Sequence, residues 1–165
     1  MNPAPRSPCI LVVEDDKLTR EIVIAFLRRG GYTNIVEAGL AEQAIFHLFK
    51  DRDLHVHLAL VDLMLPNANG LTLIRKIRES KRAERKNMPV IVMTGRTDTD
   101  TYKMAARRGV QGYLLKPLSA ALLIETVGKA LAARGIKPPV PVEPLTTLAG
   151  PPASQELPPS LDDAF

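Results

Sequence analysis

The stretch Leu58-Ala59-Leu60-Val61-Asp62-Leu63-Met64-Leu65-Pro66 decides the fold. Four apolar residues, Leu58 to Val61, run without a polar break and stop at an aspartate. A run of that length suits a strand, and an unbroken apolar strand is one buried on both faces, as in a parallel sheet. In an open parallel sheet the chemistry collects at the carboxyl ends of the strands. Asp62 is therefore a candidate functional residue by position alone.

The same pattern recurs on either side. Cys9 to Val13 is continuously apolar and is followed by Glu14, Asp15 and Asp16. Pro89 to Met93 is followed by Thr94, and Gly112 to Leu115 by Lys116 and Pro117. Asn34 to Ala38 is a further short strand candidate. Helical spacing fills the intervals. Asp16 to Arg29 places Leu18, Ile22, Ala25 and Phe26 on one face, and Gly30-Gly31 stops it. Ala41 to Phe49 turns Ala44, Ile45, Leu48 and Phe49 inward, and Leu71 to Ser80 does so with Leu71, Ile74 and Ile77. Asp100 to Arg108 closes at Gly109. Ser119 to Ala133 carries Leu123, Ile124, Val127 and Leu131 inward, with Gly135 beyond it. Five strands alternating with five helices predict an α/β fold, a doubly wound five-stranded parallel sheet with right-handed crossovers.

Composition agrees with that fold and excludes others. Of the 165 residues, 45 % are hydrophobic and 24 % charged, a globular mixture. Aromatics are 4 % and Trp is absent, so the core is expected to be aliphatic. The net charge of +4 is too mild to imply nucleic acid. Cys9 is the only cysteine, which excludes an internal disulfide and a cysteine metal site. Pro3, Pro5 and Pro8 stand where a signal peptide needs an apolar run, and no stretch is long enough to span a bilayer. A cytoplasmic location without membrane attachment is the expectation.

Acids, a hydroxyl and an ammonium thus converge on one edge. Crowded carboxylates repel and raise one another's pKa, so the site needs a compensating cation. No His or Cys accompanies them, and oxygen-only ligands select a hard ion such as Mg2+. Metal, lysine and hydroxyl together supply the charge neutralisation and directed hydrogen bonds that a phosphoryl group requires. An aspartate in such a site can be the nucleophile.

These residues resemble the response-regulator receiver domains, the CheY-like family with a flavodoxin-like (βα)5 fold, over residues 8–134. The likeness rests on Val12-Val13-Glu14-Asp15-Asp16, on Leu60 to Pro66 with Gly70, on Val92-Met93-Thr94-Gly95 and on Gly112-Tyr113-Leu114-Leu115-Lys116-Pro117. All four occur in order. The resemblance implies strand order 2-1-3-4-5. It makes Asp62 the phosphoacceptor. Glu14, Asp15, Asp62 and the backbone carbonyl of Met64 become the Mg2+ ligands. Lys116, with a Lys116–Pro117 bond that is usually cis, and Thr94 contact the phosphoryl group, and Thr94 with Tyr113 forms the switch. The donor would be a sensor histidine kinase or a histidine phosphotransfer protein. Output would pass to a separate protein through the face made by the fourth helix (100–108), the fifth strand (112–115) and the last helix (119–133), without direct DNA binding. The protein would be no enzyme beyond its own phosphorylation and dephosphorylation. Glu14 departs from the more common Asp, and Met64 and Arg96 occupy positions that tune the phosphate's lifetime.

The remaining features have plainer readings. Asp16 suits a helix N-cap. His47 suits a surface, and His55 and His57 lie at the edge opposite the acids. Arg75, Lys76, Arg78, Lys81, Arg82, Arg85 and Lys86 form a basic stretch with no interleaved aromatic, which suits a solvated face. Residues 1–7 are expected to be disordered, as are residues 135–165, which are Pro-rich from Lys137 on. The chain is thereby expected to be a stand-alone receiver. Two alternatives remain open: a degenerate receiver that binds partners without phosphorylation, and a Mg2+-dependent phosphatase. The second lacks the acid it would need just after Asp62, where Leu63 and Met64 stand. A flavodoxin-type nucleotide site lacks its Gly-rich loop.

Overall fold

The computed structural model describes residues 6–142. Residues 1–5 and 143–165, most of both segments expected to be disordered, lie outside the described residues. The sheet is built from β1 (Ile10–Val13), β2 (Ile35–Ala38), β3 (Leu58–Asp62), β6 (Val90–Thr94) and β7 (Gly112–Leu115). All its pairings are parallel, in the order β2-β1-β3-β6-β7. That is the expected order 2-1-3-4-5, with the last two strands renumbered. A small antiparallel ribbon, β4 (Met64–Leu65) with β5 (Ala68–Asn69), follows β3. Its turn is made by Asn67 at φ 56°, a left-handed conformation that Asn tolerates better than most residues.

Each apolar strand alternates between two cores. Ile10, Val12, Leu58, Leu60, Ile91, Met93 and Leu114 face α1 (Lys17–Arg29) and α6 (Ala120–Ala132). Leu11, Val13, Ala59, Val61, Val90 and Val92 face α2 (Ala41–Ile45), α3 (Gly70–Arg78) and α5 (Thr99–Arg107). Covering both faces is what makes the strands read as unbroken apolar runs. Among the described residues the one fully buried large aromatic is Tyr32, and the other fully buried large side chains are aliphatic or Met.

Several helices differ from expectation in instructive ways. In α1 the buried residues are Val23, Ile24 and Leu27, while Leu18 and Ile22 are 65 % and 42 % exposed and Ala25 is exposed. The helix is apolar on more than one stripe, and Arg20 made the true one look polar. Arg20 lies beyond the apolar surface of the sheet, where it donates to the Glu14 carbonyl at 2.7 Å and to Glu37 at 3.1 Å. The second helix widens at its end into a π-helical turn, Phe46–Lys50, where the Asp51 N–H donates to the Phe46 carbonyl. A short α4 (Ala83–Lys86) precedes β6. Ser119 and Asp98 cap α6 and α5, and Asp16 caps α1 as expected.

Two further corrections concern polar residues. Arg78 leaves the solvated face expected of it and turns inward. It donates to the carbonyls of Lys86, Met88, Arg108 and Gly109 at 2.7–2.9 Å. His47 is half-buried, and its Nδ1 has no hydrogen-bond partner among the described residues. His57 accepts from the Cys9 N–H at 2.9 Å, extending the register of β1. Past α6 the chain does not leave the domain at once. Pro138, Pro139 and Pro141 are half-buried, and the Val142 N–H donates to the Arg29 carbonyl at 2.8 Å. Gly31, at φ +88°, has no room for a Cβ because the Val140 carbonyl lies against it.

Candidate functional site

The carboxyl edge gathers side chains from β1, β3, β6 and β7. Register explains how. Val13 pairs with Val61, Asp62 with Met93, and Thr94 with Leu115, so the four strands end within one residue of one another. Glu14 and Lys116 are the first residues past β1 and β7, and Asp62 and Thr94 are the last of β3 and β6. Glu14, Asp62 and Thr94 are the buried polar residues of the described chain, at 1 %, 3 % and 0 % exposed.

Two buried carboxylates side by side need a cation, and Lys116 is there. Its Nζ lies 2.5 Å from Glu14 Oε2 and 2.7 Å from Asp62 Oδ2. The other oxygens meet backbone: Asp16 N–H donates to Glu14 Oε1 at 3.1 Å and Met64 N–H to Asp62 Oδ1 at 2.9 Å. Burial, and next to it the charge of Asp62, holds the Glu14 carboxyl above its ordinary pKa against the opposing pull of Lys116. For Lys116 burial works downward, but the hydrogen bonds it donates to Asp62 and Glu14 outweigh it and the pKa is raised.

The loop behind Asp62 is held by backbone. A Cβ on Gly70 would collide with the Asp62 carbonyl and the Leu63 Cα, and the Gly70 N–H donates to the Leu63 carbonyl at 3.0 Å. Glycine at 70 lets the β4–β5 ribbon fold tightly under the acid. The motif quoted Gly70 without this reason.

Asp15 is exposed at the mouth of the site. One oxygen from each of Glu14, Asp15 and Asp62 lies within 4.8 Å of the others. Opposite oxygen ligands of a small divalent cation are about 4.2 Å apart, so a slight contraction would satisfy one. Three carboxylates against one ammonium leave negative charge for it to neutralise. The donor set fits a hard cation. Met64 is 57 % exposed, and its N–H is engaged with Asp62.

Thr94 does not touch the acids. Its Oγ1 accepts from the Arg96 N–H at 3.1 Å, and the Arg96 carbonyl accepts from Tyr113 Oη at 3.3 Å. One residue therefore links Thr94 to Tyr113, a link that the sequence motifs do not show. Tyr113 is 8 % exposed, and its ring meets Tyr102 edge-on at 5.2 Å. Burial, with the Asp98 charge nearby, pushes the Tyr113 hydroxyl up to about 12, so it is a neutral donor at ordinary pH. The Lys116–Pro117 peptide is cis, as the resemblance implies.

The response regulator receiver domain model matches residues 10–128, from the start of β1 into α6. The chain belongs to that family. The receiver domain resembles, among others, chemotaxis protein CheY of Pseudomonas aeruginosa, with 32 % identity over 120 residues, 73 % of this chain and 93 % of CheY. It is 37 % identical over 119 residues to transcriptional regulatory protein AruR of the same species, 71 % of this chain and 46 % of AruR. It is 33 % identical over 125 residues to a cyclic di-GMP phosphodiesterase of Thermotoga maritima, 76 % of this chain and 31 % of that one. The chain thus spans less than half of these last two relatives. A response regulator receiver protein from Pseudomonas putida superimposes with TM-score 0.67 and 34 % identity, over 76 % of this chain and 99 % of that one. A CheY-like receiver domain protein from Methanospirillum hungatei has the same fold at TM-score 0.69 and 24 % identity, over 78 % of this chain and 97 % of that one. The protein is a receiver domain of two-component signalling. No helix among the described residues is long and apolar enough to cross a membrane.

Proposed function

We propose that this receiver domain accepts a phosphoryl group on Asp62 from a histidine kinase or a histidine phosphotransfer protein, and signals by changing its contacts with another protein. The observation that carries the reading is the Asp62 carboxylate at the end of β3, held by Lys116 and flanked by Glu14 and Asp15. An Asp62 oxygen would attack phosphorus as the bond to the donor's imidazole nitrogen breaks, leaving an acyl phosphate and free imidazole. Mg2+ on Glu14, Asp15, Asp62 and the Met64 carbonyl would neutralise the incoming phosphoryl charge.

The chain's own residues do the rest. The Lys116 ammonium exchanges part of its contact with the acids for a charge-assisted bond to a phosphoryl oxygen. The Thr94 hydroxyl accepts from Arg96, which leaves its proton free to donate to a phosphoryl oxygen. Movement of Thr94 pulls on Arg96 and so on Tyr113 of β7, whose ring packs against Tyr102 of α5. The surface of α5, β7 and α6 is where output would be read. A bond made only with the phosphate present is what can shift such an equilibrium. Catalysis is limited to the domain's own phosphorylation and dephosphorylation, and a cytoplasmic site of action suits both partners.

Intact-mass measurement with a small phosphodonor and Mg2+ tests the reading. The wild type should gain one phosphoryl group and Asp62→Asn none. Equal gain by both would remove the acceptor assignment, and no gain by either would favour a degenerate receiver.

A further inference from the structure

The edge of the sheet opposite the acids holds an open groove of about 650 Å3, between the π-helical turn and the end of α3. Its floor is apolar, made by half-buried Ile45 and Phe49. Its rim is cationic: Lys50, Lys76, Lys81 and Arg82 are all exposed. Among the described residues no carboxylate comes within ion-pair distance of these four, and the one acid lining the groove, Glu79, faces Arg75 at 3.8 Å. The Arg85 guanidinium lies over the Phe49 ring, 4.4 Å from its centre. An apolar floor with an unneutralised basic rim fits an extended segment that is both acidic and apolar.

This chain carries such a segment. No Lys or Arg follows Lys137, and every charge after Val142 is negative: Glu143, Glu156, Asp162 and Asp163. The residues up to Val142 therefore carry +8, against +4 for the whole chain. Leu157, Leu161 and Phe165 interleave with the last three acids. We propose that Leu157 to Phe165 docks in this groove, with Asp162 and Asp163 against Lys50, Lys81 and Arg82, and with Leu161 and Phe165 over Ile45 and Phe49.

Chain geometry permits it. The Val142 N–H is bonded to the Arg29 carbonyl at the end of α1. By the parallel topology α1, the π-helical turn and α3 all end at the same edge of the sheet. The eighteen residues from Glu143 to Ser160 reach at most about 60 Å, and a domain of this size is roughly 35–40 Å across. A tether of that length gives an effective concentration near the millimolar range, so a weak contact is enough. Exposed charge pairs are screened, so the contact weakens with salt.

The test uses the full chain with a nitroxide on Ser160→Cys. Cys9 is buried, with its thiol pushed up to about 11, so the label goes to the new cysteine. At low salt the amide signals of Phe49, Lys50, Lys81 and Arg82 should lose at least about half their intensity, while those of β6 and α6 hold. Adding salt to about 1 M should restore them. Asp162→Asn with Asp163→Asn, which leaves the folded residues untouched, should restore most of the signal at low salt. Lys81→Glu with Arg82→Glu should do the same. Uniform broadening, or broadening centred on Asp62 or on α5, overturns the proposal. So does broadening seen only when labelled chain is mixed with unlabelled chain, which would place the segment on a second copy.

Discussion

Two half-buried cations sit at opposite edges of one sheet, and their surroundings differ in kind. Lys116, at the carboxyl edge, faces two carboxylates, Glu14 and Asp62. Arg78, at the amino edge, pairs with no acid among the described residues. Its guanidinium is spent on four backbone carbonyls and on the Gln111 side-chain oxygen at 3.2 Å. Carbonyls are neutral and always present, so the bonds of Arg78 respond to neither proton nor metal. The partners of Lys116 are carboxylates that attract cations, and another anion can replace them. One edge is built to stay as it is, and the other to be exchanged. The difference is one of partners, since both cations lie at an edge of the sheet and both are partly buried.

The largest effect is expected from Lys116→Ala. It leaves Glu14 and Asp62 facing each other without a cation. Protonating Glu14 offers a way out and caps the loss: holding a carboxyl of ordinary pKa protonated at pH 7 costs roughly 3.5 kcal/mol. Without divalent ions at pH 7 the variant should lose about 3 kcal/mol in urea unfolding. Its pH dependence follows from the Glu14 shift. A carboxyl held above its ordinary pKa lends stability that is complete below about pH 4.3 and is lost as pH rises through the raised value. In the wild type Lys116 opposes that loss, and its own raised pKa keeps its contribution intact until strongly alkaline pH. The gap between variant and wild type should therefore narrow from pH 7 to pH 5. Millimolar Mg2+ should narrow it too, by binding the folded state alone. A gap that neither acid nor Mg2+ changes would make Lys116 a fixed strut like Arg78.

Arg78→Ala should cost less, about 2 kcal/mol, because the orphaned carbonyls lie near enough to the surface for water to reach some of them. The loss should be flat from pH 5 to pH 8 and blind to Mg2+, and phosphorylation of Asp62 should keep its rate within about twofold. Arg78→Lys should recover under half, since one ammonium cannot serve four carbonyls spread over a planar fork. Urea unfolding with and without Mg2+ reads both. A loss that Mg2+ repairs, or a large fall in phosphorylation rate, would couple the two edges and end the contrast.

Legibility in the sequence follows the same division. The carboxyl edge was legible because each strand is an unbroken apolar run. The end of such a run fixes where the next polar residue goes, so Glu14, Asp62, Thr94 and Lys116 could be placed side by side without coordinates. The amino edge was opaque because carbonyl oxygens belong to every residue type and leave no mark. Residues 86–111 gave no hint that four of their carbonyls converge on one arginine. A trace existed in spacing: Arg78 stands four residues after buried Ile74 and seven after Leu71, on the inward stripe of α3. Arg20 misled in the same manner in α1, where a polar residue on the buried stripe moved the expected face onto Leu18 and Ile22. The Thr94–Arg96–Tyr113 link also runs through backbone atoms, and was invisible for that reason.

The smallest effect tests whether a charge at the carboxyl edge matters when it is exposed. Asp98 caps α5, accepting from Thr101 N–H at 2.8 Å and from Arg96 Nε at 3.0 Å. The Thr101 hydroxyl, then its backbone N–H, and then Arg96 draw the carboxyl down to about 2. A depressed carboxyl contributes stability that is present above its unfolded value near 3.9 and is lost as pH falls toward 2. Asp98→Asn keeps an acceptor for the cap and removes only the charge. The wild type should therefore melt slightly above the variant at pH 7, by less than Arg78→Ala costs, and the gap should shrink steadily as pH falls toward 2. About 1 M salt should shrink the difference at pH 7, because this pair is exposed to solvent. The rate of Asp62 phosphorylation should not change, since Asp98 bonds to Arg96 and Thr101 and to none of Glu14, Asp62 and Lys116. Melting curves of the two proteins followed from pH 7 down to pH 2 decide the point. A difference that does not shrink as pH falls toward 2 would have to come from the cap's geometry instead of its charge, and an exposed carboxylate at this edge would then be as fixed in its role as Arg78 is at the other.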